Sequence, residues 1–308
     1  MRFQEEDMDR FLGCIYGLAI GDALGYPYEF GYKGAALNVS GLREPALYSD
    51  DTQMSLAIAQ ALIDAAKTNS LNDVEAVMDK VVRRFIQWYR SPDNNRAPGM
   101  TCMEGCRRLA EGVSWRESGV ATSKGCGTAM RTAPVGLVYH NDPQMLKEIS
   151  AATSTATHRH PAAIAGGVAT AYLVALAVKN TQPQRMPEEL LKFTAGMSSD
   201  FTQKIELVSR VVRLQPDEAF AEIGEGWVAE EAVAGALYCF LRHPTDYRQC
   251  VLTAVNFSGD RDSVACIAGA ISGAYNGIAA IPPEWTQKIE NRQLLREVAE
   301  NLYKVAIR

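Results

Sequence analysis

The chain has 308 residues, 47% of them hydrophobic and 22% charged, which excludes a disordered chain and leaves ample length for a buried core. Lys and Arg number 31 against 36 Asp and Glu, a net charge of −5. No broad basic surface follows from such a balance, so nucleic acid is not an expected partner.

The N-terminus, MRFQEEDMDR, is acidic and has no apolar stretch, unlike a signal peptide. GLAIGDALGYPYE (17–29) comes next. Glycines at 17, 21 and 25 give a helix a smooth face that lets another helix approach closely. Asp22, set among apolar residues, needs a partner, and a buried structural hydrogen-bond acceptor is the reading preferred for it. Glu29 lies past the helix end, on a loop that can hold it over a pocket.

YSDDTQM (48–54) opens a strong helical pattern in which Met54, Ile58 and Leu62 recur every four residues. A second amphipathic pattern, over 73–89, places Val74, Val77, Val81, Phe85 and Trp88 on one face. A third, over 201–214, uses Phe201, Ile205, Val208 and Val212, and 229–241 and 287–306 are similar in kind. No run alternates polar and apolar residues. The expectation is an all-α fold of about ten or more helices, in one compact domain over 1–308. SPDNNRAPGM (91–100), HNDP (140–143) and TQPQRMP (181–187) are loops. PAAIAGGVATAYLVALAV (161–178) is uncharged and just long enough to span a membrane. It is rich in Ala and Gly, however, and reads better as a central helix buried on all sides, so no membrane partner is expected. The seven cysteines form no CxxC pair and are expected as reduced thiols of a cytoplasmic protein.

Two acidic clusters carry the strongest chemical signal. Ser49, Asp50 and Asp51 precede one helix; Asp260, Asp262 and Ser263 open another. Carboxylates and hydroxyls of this kind suit Mg²⁺, Mn²⁺ or Ca²⁺. They also suit helix capping, and spacing alone leaves both readings open. Gly125-Cys126-Gly127-Thr128 either holds an anion on free backbone N–H groups or simply turns the chain. His158 and His160, two of only four histidines, flank Arg159 just before the apolar helix.

Taken in order, these segments resemble the ADP-ribosylglycohydrolase family, to which the enzyme that reactivates dinitrogenase reductase belongs. The likeness rests on GLAIGDALGYPYE, YSDDTQM, GCGTAMRTAPVGL (125–137), THRHP (157–161) and SGDRDSVACIAGAISGAYNGIAAIP (258–282), and runs from about residue 12 to 282. It implies an all-α domain with two Mg²⁺ (or Mn²⁺) at the bottom of an ADP-ribose cleft, held by Ser49, Asp50, Asp51, Asp260, Asp262 and Ser263. It implies substrate contacts at Gly99, Thr101, Gly125, Cys126, Gly127, Thr128, Met130 and His158, and proton transfer by Asp51 or Glu29. The implied activity is removal of ADP-ribose from a modified protein side chain, most naturally arginine. The implied partners are the ADP-ribosylated protein, ADP-ribose, and an ADP-ribosyltransferase or its target. Hydrolysis of ADP-ribosylserine or O-acetyl-ADP-ribose, and a non-catalytic binding or structural role, stand as alternatives. Four departures bear on this. Ser49 and Ser263 replace the commoner Thr. Arg261, between the aspartates, is either a counter-ion or reaches toward the substrate. The middle loop, RAPGMT (96–101), lacks the Asp common in arginine-specific members, with Asp93 the nearest.

Overall fold

The computed structural model describes residues 2–30 and 37–307. Among them are sixteen α-helices and four short 3₁₀ turns, with isolated bridges but no strand. The amphipathic patterns become the helices Asp50–Lys67, Val74–Tyr89, Ser199–Val211 and Ala229–Arg242, with their apolar rows buried except that Val74 is half-buried and Val211, not the half-buried C-cap Val212, ends the third row. The expected continuous segment 287–306 is instead two helices, Pro283–Lys288 and Arg292–Ala306. The break falls at Asn291, whose φ of 52° is left-handed, a conformation Asn tolerates better than most residues. Pro161–Val178 is a central helix, with 83% of its length buried inside the fold.

The organising contact is between the N-terminal helix, Arg2–Gly25, and Arg261–Asn276. They run antiparallel with their backbones nearly touching. A Cβ on Gly17 would stand 2.3 Å from the Gly269 carbonyl oxygen, and one on Gly21 would stand 2.0 Å from that of Ala265. At the end of this seam, a Cβ on Gly25 would stand 2.4 Å from the Asp262 nitrogen. The glycine stripe therefore sets the end of the first helix against the start of the other. Glu29 follows the short turn Tyr26–Tyr28 and is delivered to the same place.

The Asp50–Lys67 helix begins there too, tied down by Asp22. That carboxylate accepts from the Ser49 backbone N–H (2.8 Å), the Thr52 N–H (3.0 Å) and the Thr52 hydroxyl (2.6 Å). Asp22 is thus the structural acceptor that its apolar setting required. Two helix N-termini, each an electropositive end, consequently face one another across a cavity.

Candidate active site

Ser49 caps the Asp50–Lys67 helix, its hydroxyl accepting from the Asp51 N–H, and Asp260 caps Arg261–Asn276 by accepting from the Ser263 N–H. One hydroxyl and one carboxylate account for the capping. Asp50 fixes the middle loop instead: its Oδ2 accepts from the Gly99 N–H at 3.1 Å. Asp51 and Asp262 cap nothing. The buried atoms Asp51 Oδ2, Asp262 Oδ1 and Glu29 Oε2 have no hydrogen-bond partner. Bare buried carboxylate oxygens are costly unless something cationic or protonated meets them.

The electrostatics agree. Burial comes first in raising the pKa of every member of this group, and Glu29 is pushed up to about 9 and Asp50 to about 8. Asp51 and Asp262 are held well above the usual carboxylate range by burial and then by each other's neighbours, Asp22, Asp50, Asp260 and Glu29 among them. The principal charges acting on these groups are other carboxylates. Arg261 is buried, donates to the Val255 carbonyl at 3.1 Å, and is not among the residues lining the cavity.

The cavity encloses about 500 Å³. Glu29, Asp50, Asp51, Asp260 and Ser263 form its floor, and Gly99, Thr101, Gly125, Cys126, Gly127, Met130 and His158 its walls. Thr128 points elsewhere, its buried hydroxyl donating to the Ala163 carbonyl at 2.6 Å. Asp93 is exposed and lines a separate surface pocket beside Arg96 and Glu290. The glycine loop is held by an antiparallel bridge: the Cys126 N–H donates to the Trp227 carbonyl, and the Ala229 N–H to that of Lys124. The Cys126 N–H is therefore already engaged. The second glycine has a packing cause as well, since a Cβ on Gly127 would stand 2.6 Å from Cys102 Sγ and 3.0 Å from His158 Cε1.

A model of the ADP-ribosylglycohydrolase family matches residues 4–308. The chain belongs to the ADP-ribosylglycohydrolase family. Mouse ADP-ribosylhydrolase ARH3 is 26% identical over 97% of this chain and 92% of that protein. ADP-ribosyl-[dinitrogen reductase] glycohydrolase of Rhodospirillum rubrum is 28% identical, covering 94% of each. ADP-ribosylarginine hydrolase Tri1 of Serratia proteamaculans is 26% identical over 98% of this chain and 81% of that one. A solved ADP-ribosylglycohydrolase-related protein complex superposes with a TM-score of 0.79 at 27% identity, over 98% of this chain and 99% of that one.

As an ADP-ribosylglycohydrolase, this chain shows three features that sequence reasoning missed. Phe30 and Trp227 stand at the cavity mouth with their rings roughly parallel, 6.4 Å between centroids. Trp227 is placed by Gly224 and Gly226, with φ of 110° and 81°, and the only sequence signal was an aromatic residue after a Gly-Glu-Gly turn. Cys126 is not only a loop residue, because its thiol donates to Asp260 Oδ2 at 3.0 Å.

Among the described residues, no three His, Cys, Asp or Glu side chains already stand as a closed metal-ligand cluster. The donor set nonetheless fits hard divalent cations. It supplies carboxylates and serine hydroxyls and leaves buried carboxylate oxygens bare, and the largest charges acting on Asp51 and Asp262 are other carboxylates.

Proposed function

We propose that this protein is a metal-dependent hydrolase that cleaves the glycosidic bond between ADP-ribose and a modified arginine side chain. The observation that carries this reading is the set of unpartnered buried oxygens on Asp51 and Glu29, which line a cavity of about 500 Å³, and on Asp262, two residues from the lining Asp260. Ser49, Asp50, Asp51, Asp260, Asp262 and Ser263 would hold two Mg²⁺ or Mn²⁺. Such cations, when bound, supply positive charge that fixes ribose hydroxyls and a water near the anomeric carbon.

The chain's own residues do the rest. The walls exclude bulk water and orient the nucleotide through Gly99, Thr101, Cys126, Met130 and His158. The bond to be broken passes through an oxocarbenium-like transition state, which anionic carboxylates nearby favour. Glu29 and Asp51, each with an unpartnered buried oxygen in the cavity lining, would move a proton between water and the departing side-chain nitrogen. Tri1's designation as an ADP-ribosylarginine hydrolase supports arginine as the linkage. All seven cysteines are free thiols, which supports a cytoplasmic setting.

The departure at the middle loop favours a second reading, hydrolysis of a different ADP-ribose conjugate. One experiment separates the two. Purified protein with Mg²⁺ is given ADP-ribosylarginine, ADP-ribosylserine and O-acetyl-ADP-ribose, and released ADP-ribose is measured. Fastest turnover of ADP-ribosylarginine, lost in Asp262→Ala, is expected. Near-wild-type turnover by Asp262→Ala would remove the site assignment, and fastest turnover of another conjugate would decide for the second reading.

A further inference from the structure

Behind the glycine loop, away from the carboxylates, lies a buried polar chain that ends at the cavity. Arg131 has no exposed surface. Its guanidinium lies over the Phe85 ring, 4.7 Å from the centroid, and donates to the Thr153 carbonyl at 2.9 Å and to Thr157 Oγ1 at 2.6 Å. Thr157 Oγ1 is in turn 2.8 Å from His158 Nδ1. His158 is part of the cavity wall.

A hydroxyl has one proton to give. Arg131, which can only donate, occupies a lone pair of Thr157 Oγ1. The Thr157 proton then has two acceptors in range, His158 Nδ1 at 2.8 Å and the Ser154 carbonyl at 3.5 Å. The second distance is at the limit of a hydrogen bond, so the proton goes to Nδ1. An Nδ1 that accepts cannot carry a hydrogen, and the neutral ring must then carry it on Nε2. The ring stays neutral because burial, and then the Arg131 charge, oppose an imidazolium. Nε2 faces the glycine loop, where a Cβ on Gly125 would stand 3.1 Å from it.

We propose that Arg131, acting through Thr157, sets His158 as the neutral Nε2–H tautomer and so makes it a fixed hydrogen-bond donor to an oxygen of a nucleotide bound in the cavity. Arg131 and Thr157 are positioning residues, and His158 is the group that meets the ligand. The nucleotide part of this statement rests on the ADP-ribose reading above; the tautomer does not.

The test is long-range ¹H–¹⁵N correlation NMR on the full chain labelled at histidine, with His158 assigned by the loss of its signals in His158→Gln. The wild type should show a hydrogen on Nε2 and none on Nδ1. Thr157→Val should give the Nδ1–H form or a mixture and weaken ADP-ribose binding by about five- to tenfold, the scale of one hydrogen bond, while Thr157→Ser keeps both properties. An Nδ1–H tautomer in the wild type would overturn the proposal, as would unchanged ADP-ribose affinity in a folded Thr157→Val. Wild-type protein with the Nε2–H tautomer and no affinity for ADP-ribose would uphold the Arg131–Thr157 assignment and overturn the nucleotide reading instead.

Discussion

Asp22 shows how a single buried carboxylate can organise a site without lining it. It satisfies three donors at the start of the Asp50–Lys67 helix, and burial raises its pKa to about 6, with bonds from Thr52 and Ser49 opposing the shift. Asp22→Ala leaves those donors buried and unpaired, at ~1–3 kcal/mol for each group. A loss of several kcal/mol in urea unfolding is expected, with weakened Mg²⁺ binding because Ser49, Asp50 and Asp51 lose their anchor. Gly127 makes a second residue-scale test. Gly127→Ala drives a methyl into Cys102 Sγ and the His158 ring, so ADP-ribose affinity should fall; adding Cys102→Gly, which removes the closer clash, should restore part of it. Recovery of none of the affinity would show that the contact with His158, not Cys102, sets the loop. At this scale the acidic clusters were legible, because four carboxylates exceed what two caps require. Trp227 and Phe30 were not, since their placement depends on left-handed glycines and on contacts distant in sequence. The turn of Thr128 away from the cavity and into the core was not legible either, because a 3₁₀ turn does not announce which side chain faces the cavity.

Among elements, the antiparallel seam between Arg2–Gly25 and Arg261–Asn276 sets the geometry on which the site depends. Gly13, Gly17 and Gly21 each meet a backbone carbonyl of the facing helix at 2.0–2.3 Å from where a Cβ would be, and Gly25 meets the Asp262 nitrogen. Backbone cannot rotate away as a side chain can, so the helices must part. Gly21→Ala should therefore destabilise by ~1–3 kcal/mol or more, the cost of overpacking, and lower the melting temperature by several degrees. It should also weaken divalent-cation binding, because parting the helices carries Asp262 away from Asp51. A Gly21→Ala protein with wild-type melting and wild-type Mg²⁺ affinity would show that the seam is not a constraint. The helix patterns and the glycine stripe were readable from spacing alone, as was the burial of Pro161–Val178. The division at Asn291 was not, because apolar periodicity continues across it and one residue's left-handed backbone leaves no mark on that periodicity.

For the whole molecule, the raised carboxylates tie stability to pH and to cations. In the metal-free protein Glu29 and Asp50 titrate near 9 and 8, well above the unfolded values of about 4, and Asp51, Asp260 and Asp262 are raised too. Between those limits the folded chain holds more protons than the unfolded one, so unfolding free energy falls as pH rises. Metal-free protein should accordingly melt lower at pH 8 than at pH 5, the reverse of ordinary acid denaturation. Mg²⁺ held by the folded site and not by the unfolded chain should recover ~2.7 kcal/mol at about 100-fold excess over Kd, a shift of several degrees. Asp50→Asn/Asp262→Asn should abolish that response while leaving the metal-free protein no less stable, since the repulsion is relieved. Calorimetry at the two pH values, with and without EDTA, checks each part.

The central claim is that the two acidic helix starts act together as one cation-dependent site for ADP-ribose hydrolysis. Its most direct test is release of ADP-ribose from ADP-ribosylarginine by a single wild-type preparation, assayed after EDTA and dialysis and again after Mg²⁺ or Mn²⁺ is returned. No release above background is expected without cations, with recovery when they are restored. Equal release before and after restoration, in protein verified to be metal-free, would contradict it.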